Sequence, residues 1–172
     1  MRTASKIVRA VAGATVLCLS LPLLAQPTDT AVKAAFLPRF ARYVTWPPSA
    51  MPRGASPLLL CVIGKDPFGP MLDDAARSQL IDGRRILVRR MSSLAGVEGC
   101  QIAFLGSSEF VGRMGIRPVL TVTDAANTSQ RGVIHFIISG GRVRFFIDQA
   151  KAQQRGLAIS SRLLALAVGV SQ

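Results

Sequence analysis

The sequence predicts a single α/β domain with a mostly parallel sheet, helices on both faces and an antiparallel hairpin near the C-terminal part. Three observations carry this. Short apolar runs end on glycine or serine, as in "PLLLCVIG" (57–64) and "GCQIAFLGSS" (99–108), the pattern of strands covered on both faces. Helical stretches alternate with these runs, which implies parallel strands joined by crossovers. "GVIHFIISGGRVRFFID" (132–148) holds two strand-like runs around Ser139-Gly140-Gly141, a hairpin signal. One domain suits 172 residues of which 49 % are hydrophobic; with aromatics at only 6 %, aliphatic side chains must build most of the core.

Taken in chain order, Thr28 or Asp29 caps a first helix starting near Thr30. Val32, Phe36, Phe40, Tyr43 and Val44 share one face of it, Pro38 kinks it, and Pro47-Pro48 ends it. Tyr43 and Trp46, the only tyrosine and tryptophan in the chain, then share its last turn. Residues 49–57 are a loop, and the first strand follows in "PLLLCVIG". In "DPFGPMLDDAAR" Asp66 caps a short helix with Pro67 at its first position. "DGRRILVRRM" carries a strand after a turn, and "GCQIAFLGSS" another. Ser107 or Ser108 caps the short helix in "EFVGRMG". "RPVLTVTD" is a strand ending at Asp124, and the hairpin comes next as an antiparallel edge. Asp148–Arg155 is a helix capped by Gly156, and "LAISSRLLALAVG" a second helix.

Residues 1–25 read as a secretory signal peptide, leaving residues 26–172 as the domain. Arg2, Lys6 and Arg9 form a basic start, and Val11 to Leu24 is nearly all apolar. An uncleaved anchor is the other reading, but a comfortable span needs roughly 20 apolar residues. A lipoprotein site at Cys18 would want a small residue where Leu17 stands. Removing the leader lowers the formal charge of +12 by three. The remaining arginines are scattered with no aromatic platform between them, so nucleic acid is not the expected partner. Cys61 and Cys100 are an even pair in an oxidising compartment, most simply a disulfide with each cysteine at a strand edge; two buried thiols are the alternative.

Most catalytic schemes lack parts. His135 is the one histidine and lies inside a strand, facing away from Ile134 and Phe136. A zinc site needs three or four ligands, so neither a metal nor a cofactor is expected. "LGSSEF" is a partial nucleophile elbow in which Phe110 replaces the last glycine, leaving a weak hydrolase reading on Ser108 and His135. Gly64, Asp66, Ser107, Ser108 and Asp124 fall at strand ends, where α/β folds bind small ligands. Asp124 could hold a ligand amine or cap the following turn. A binding or regulatory module fits better than an enzyme.

Several stretches then resemble one family in order. They are "AVKAAFLPRFARYVTWP", "LLLCVIGKDPFG", "GCQIAFLGSS", "VLTVTD", "RGVIHFIISGGRVRFFID" and "GLAISSRLLALA". Together, over residues 31–168, they resemble the YfiR/HmsC-like family of periplasmic proteins. The resemblance implies a repressor that binds the periplasmic sensor domain of an inner-membrane diguanylate cyclase and lowers cyclic di-GMP and biofilm formation. It implies sequestration by an outer-membrane, peptidoglycan-associated lipoprotein, a homodimer in some members, and no catalytic residue. Cys61 and Cys100 match one bridge of the family; a second bridge near the hairpin has no counterpart, which separates this chain from full redox control. Asp148 stands where the family has asparagine. Candidate partner-binding residues are Tyr43, Trp46, Leu163 and Leu164, with core packing as the other reading for each. A small-ligand sensor for another membrane receptor, using the strand ends, is the alternative function.

Overall fold

In the computed structural model, which describes residues 26–172, Thr28 caps α1 (Asp29–Arg39) by accepting a hydrogen bond from the Ala31 N–H at 3.2 Å. The leader read at residues 1–25 lies outside the described residues. Ala34, Leu37 and Pro38 of α1 are buried. Past Pro38 the chain tightens into a 3-10 turn, Phe40–Tyr43, and then becomes β1 (Val44–Thr45). The first helix therefore ends well before Trp46, and Tyr43 and Trp46 do not share a helical turn. The cause is tertiary: β1 pairs antiparallel with β9 (Ala158–Ile159), and the Ser160 N–H donates to the Tyr43 carbonyl at 2.8 Å.

The main sheet is built from β2 (Leu58–Ile63), β3 (Leu80–Ile81), β4 (Arg84–Met91), β5 (Ile102–Leu105), β6 (Leu120–Asp124), β7 (Ile134–Ser139), β8 (Arg142–Asp148) and β10 (Gly169–Ser171). Its order is β10-β8-β7-β6-β5-β2-β4-β3. Strands β4, β2, β5, β6 and β7 are mutually parallel. β7 and β8 form an antiparallel hairpin in which Ser139 pairs with Arg142 and Gly140-Gly141 turn with positive φ. A second tight hairpin joins β3 to β4 through Asp82-Gly83, both also at positive φ. β3 reaches only Arg84 and Arg85, so no described strand pairs with the outer side of β4 beyond them.

Two expectations change here. The β7–β8 hairpin is not the sheet edge, because β10 adds in parallel outside β8. The stretch "LAISSRLLALAVG" is not one helix: it makes β9, the single turn α5 (Ser161–Leu164) and the start of β10. Extending the chain satisfies backbone groups that β8 would otherwise present at an edge. The Val168 N–H donates to the Phe145 carbonyl at 3.0 Å. Gly169 fits because the Phe146 ring lies where a β-carbon would stand, 2.9 Å away. The helix after β2 also shifts. Asp66 Oδ1 accepts from the Phe68 and Gly69 N–H groups, so α2 (Pro70–Arg77) starts at Pro70 rather than Pro67.

Strand alternation splits the core in two. On one face Leu58, Leu60, Val62, Ile102, Phe104, Val122, Ile134, Phe136, Phe145 and Ile147 pack against α1, the Phe40 turn and α2. Phe40 meets Phe145 edge to face with ring centres 5.4 Å apart. On the other face Cys61, Ile63, Ala103 and Leu105 meet Val97, Cys100, Phe110 and Met114, the last two from and just after α3 (Ser108–Arg113). This second cover stops short of β7, β8 and β10. A hairpin supplies no crossover helix. The return from β8 to β10 runs through α4 (Gln149–Gln154), β9 and α5, and buries Ala152, Leu157 and Leu163 in the first core.

Cys61 and Cys100 are disulfide-bonded with Cα atoms 6.0 Å apart, inside the smaller core. Cys61 lies within β2 rather than at its end, and Cys100 just precedes β5. Closing a loop of 39 residues restricts the unfolded chain. The Cys61→Ala/Cys100→Ala variant is expected to lose about 2–5 kcal/mol in urea unfolding; an unchanged midpoint would show that the bond adds nothing.

Candidate functional site

The five residues expected to form a pocket do lie near the carboxyl ends of β2, β5 and β6, but the fold uses them itself. Gly64 has φ +82°, and a β-carbon there would come within 2.7 Å of the Phe110 ring. A β-carbon on Gly106 would lie 2.4 Å from the Lys65 carbonyl oxygen, so the ends of β2 and β5 close on each other. Asp66 also pairs with Arg90 at 2.8 Å, and Arg90 reaches Asp73 on α2 at 2.7 Å. That hydrogen bond holds the Asp73 carboxyl below its usual range and Arg90 above its own. Ser107 takes the N-cap position of α3 without a capping side-chain bond, and Ser108 is exposed in its first turn. Asp124 does hold an amine, but it is the protein's own: Lys33 Nζ on α1 lies 2.7 Å from Oδ2, with the two side chains 8 % and 5 % exposed. Asp124 Oδ1 also accepts from the Ala126 N–H at 3.0 Å, so it caps the turn as well.

The residues expected at a partner surface divide. Trp46 is buried, and its indole N–H donates to the Gln101 carbonyl at 3.0 Å. Leu163 is buried in the larger core, while Tyr43 and Leu164 pack half-buried at its border. In this fold Trp46 and Leu163 offer almost no surface, whereas Tyr43 and Leu164 are partly exposed. Leu166 (56 % exposed) and Val168 (45 %) extend that apolar stretch. Sequence reasoning missed Gln101, whose amide Nε2 donates to the Ala50 carbonyl and whose Oε1 accepts from the Leu59 N–H, both at 2.8 Å. Its only trace in the sequence is a polar residue opening an apolar run.

Where β7, β8 and β10 lack a cover, a cleft of about 240 Å3 opens. Arg131, Gly132, Val133, His135, Phe146, Asp148, Gly169 and Ser171 are among its lining residues. The register explains the gathering: Thr123 pairs with His135, His135 with Phe146, and Phe146 with Gly169, so the side chains of one row share a face. His135 is 4 % exposed and its Nδ1 lies 2.8 Å from Thr123 Oγ1. That hydroxyl already accepts from the Gly132 N–H at 2.9 Å. The Arg131 guanidinium stands 4.4 Å over the centre of the Phe146 ring. Burial first, and the charge of Arg131 second, hold the His135 imidazole below its usual value. Thr123 is fully buried, so the Thr123–His135 pair is closed to a substrate carbonyl. Ser108 lies two strands away from His135, with its helix following β5.

A family model described as YfiR/HmsC-like matches residues 30–168 of the 172-residue chain. No curated protein matches it. The matched span includes α1 from Thr30, the sheet up to the crossover into β10, the disulfide and the cleft residues from Arg131 to Asp148, but not Gly169, Val170 and Ser171.

Two tests follow from the buried charges. Lys33→Met leaves Asp124 buried without its partner and is expected to cost about 3–5 kcal/mol in chemical denaturation, with Lys33→Met/Asp124→Asn recovering most of it. Equal loss in the single and double variants would show that the pair is not the source. The imidazole sets a pH dependence: unfolded His135 binds its proton near pH 6.5, whereas the folded protein resists it. Stability is therefore expected to fall as pH drops below about 6.5 and to level off below the folded value, and His135→Gln should remove that part of the slope in urea midpoints.

Proposed function

The chain belongs to the YfiR/HmsC-like family, and on that premise we propose that it is a periplasmic regulatory protein that restrains an inner-membrane diguanylate cyclase through its periplasmic domain. The observation that carries this reading is the extent of the match, which runs from the first helix almost to the last strand. Binding, rather than chemistry on a substrate, would be its mode of action. It would hold its receptor off only by its difference in affinity for the two receptor states; moving an equilibrium from 1:99 to 99:1 takes a preference of about 10⁴-fold.

We place the receptor contact on the border of the larger core, where Tyr43 and Leu164 continue into exposed Leu166 and Val168. Trp46 and Leu163 would support that border from beneath, fixing its shape without touching the partner. An outer-membrane, peptidoglycan-associated lipoprotein competing for the same surface would release the cyclase, and a homodimer could use it in the free protein. The alternative of a ligand-responsive sensor for another receptor draws on the cleft at His135.

Cells lacking the protein are expected to hold more cyclic di-GMP than cells carrying it, and the exported protein should reverse the rise while a form without residues 1–25 should not. Leu166→Glu, folded by its tryptophan fluorescence, should fail to restore the low level. Unchanged cyclic di-GMP on deletion, with the protein present in the periplasm, would count against a cyclase as the receptor.

A further inference from the structure

We propose that the cleft framed by β7, β8 and β10 is a binding site for a small oxyanion, foremost a carboxylate, received by the Arg131 guanidinium and the His135 Nε2–H. This goes beyond the regulatory reading and does not depend on which receptor the protein serves.

The hydrogen-bond partners of Thr123 bear on what His135 presents. Thr123 Oγ1 has one proton to give. It lies 2.8 Å from His135 Nδ1 and 3.4 Å from the Ile134 carbonyl, and it accepts from the Gly132 N–H. We assign the proton to the shorter contact, which makes Nδ1 the acceptor; the other arrangement, with Nδ1–H donating to the hydroxyl and the hydroxyl to Ile134, is the outcome that the tautomer measurement below tests. A neutral ring then carries its hydrogen on Nε2. Among the described residues no hydrogen bond engages Nε2, and the ring lines the cleft. The residue is 4 % exposed, and its Nε2 opens to the cleft, where an acceptor can reach it.

The charges point the same way. Arg131 has no acidic partner among the described residues; it is held over Phe146, and its carbonyl is tied by Lys151 Nζ at 3.0 Å. The one carboxylate lining the cleft, Asp148, is already committed to the Lys151 N–H at 2.9 Å and to Lys151 Nζ at 3.2 Å. The backbone N–H groups of Gly132 and Val133 are taken by Thr123 and Thr121. What remains free is the Arg131 guanidinium, one imidazole N–H and the Ser171 hydroxyl, donors that together suit a carboxylate. A volume of about 240 Å3 admits a molecule smaller than most drug-sized ligands.

The chain has one histidine and one tryptophan, so each reports a single place. Protein labelled with 15N-histidine should show the Nε2–H tautomer of His135 at neutral pH. Sodium acetate, sodium benzoate and inorganic phosphate, added at constant ionic strength, should separate the candidate classes. A saturable shift of the His135 signals with acetate or benzoate, at a Kd of about 1 mM or tighter, supports the proposal. Phosphate shifting them equally well supports the same site as a general oxyanion receptor. Arg131→Gln should weaken binding about 10-fold or more, with Trp46 fluorescence unchanged as evidence that the fold persists. An Nδ1–H tautomer in the free protein would overturn the proposal. So would the absence of a saturable shift with all three anions, or equal binding by Arg131→Gln.

Discussion

Both ends of the Gln101 side chain are used. Oε1 accepts the Leu59 N–H, Nε2 donates to the Ala50 carbonyl, and the residue's own carbonyl takes the Trp46 indole and the Leu120 N–H. One buried residue thus ties the segment after the first helix to the starts of β2, β5 and β6. Its neighbour Cys100 ties the same place to the middle of β2. Leaving any of these groups unpaired in the interior would cost about 1–3 kcal/mol apiece. The alternatives to this register are therefore penalised together. The Trp46-Pro47 step is rigid because it is a lid on this junction, with the indole plugging it and the prolines turning the chain away.

The connection between strands decides where the molecule is solid and where it is open. Each parallel step from β2 to β6 brings a crossover segment that covers a face. The step from β7 to β8 is a two-glycine turn and brings none. The final crossover then packs on the face already filled by α1. A row of polar and aromatic side chains, from Thr123 through His135 to Phe146, is left without a helix above it. The strand ends, where ligands of α/β proteins usually gather, are by contrast plugged by Phe110, Lys33 and Arg90.

Much of the architecture was legible locally. The apolar runs of β2, β5 and β6, the Thr28 cap and the Gly140-Gly141 turn all state their conformation in their own residues, and the structure follows them. The failures share one cause. Val44-Thr45 and the two ends of "LAISSRLLALAVG" extend because a distant strand offers backbone partners, which no local window contains, and only Ser161–Leu164 between them keeps a helical turn. The candidate site was less legible than the fold. Asp124 was recognisable as a residue at a strand end, but its partner lies 91 positions away in Lys33. His135 falls on the expected face, while the cleft beside it depends on β10, of which the sequence marks Gly169 only as the end of a helix and Val170-Ser171 not at all. The disulfide was legible because pairing two cysteines needs no register.

The outer side of β4 carries a further consequence. Beyond Arg85 no described strand pairs with that side, and Leu80 and Leu87 are exposed beside it. Such an edge is a template on which a second chain can add. Two copies meeting antiparallel about Arg89, within the stretch that β3 leaves open, would set that arginine opposite its own copy, and it has no acidic partner among the described residues to offset the repulsion. Like charge therefore opposes that register of self-pairing. Crowded copies that met in that register would push one another apart rather than add strand to strand.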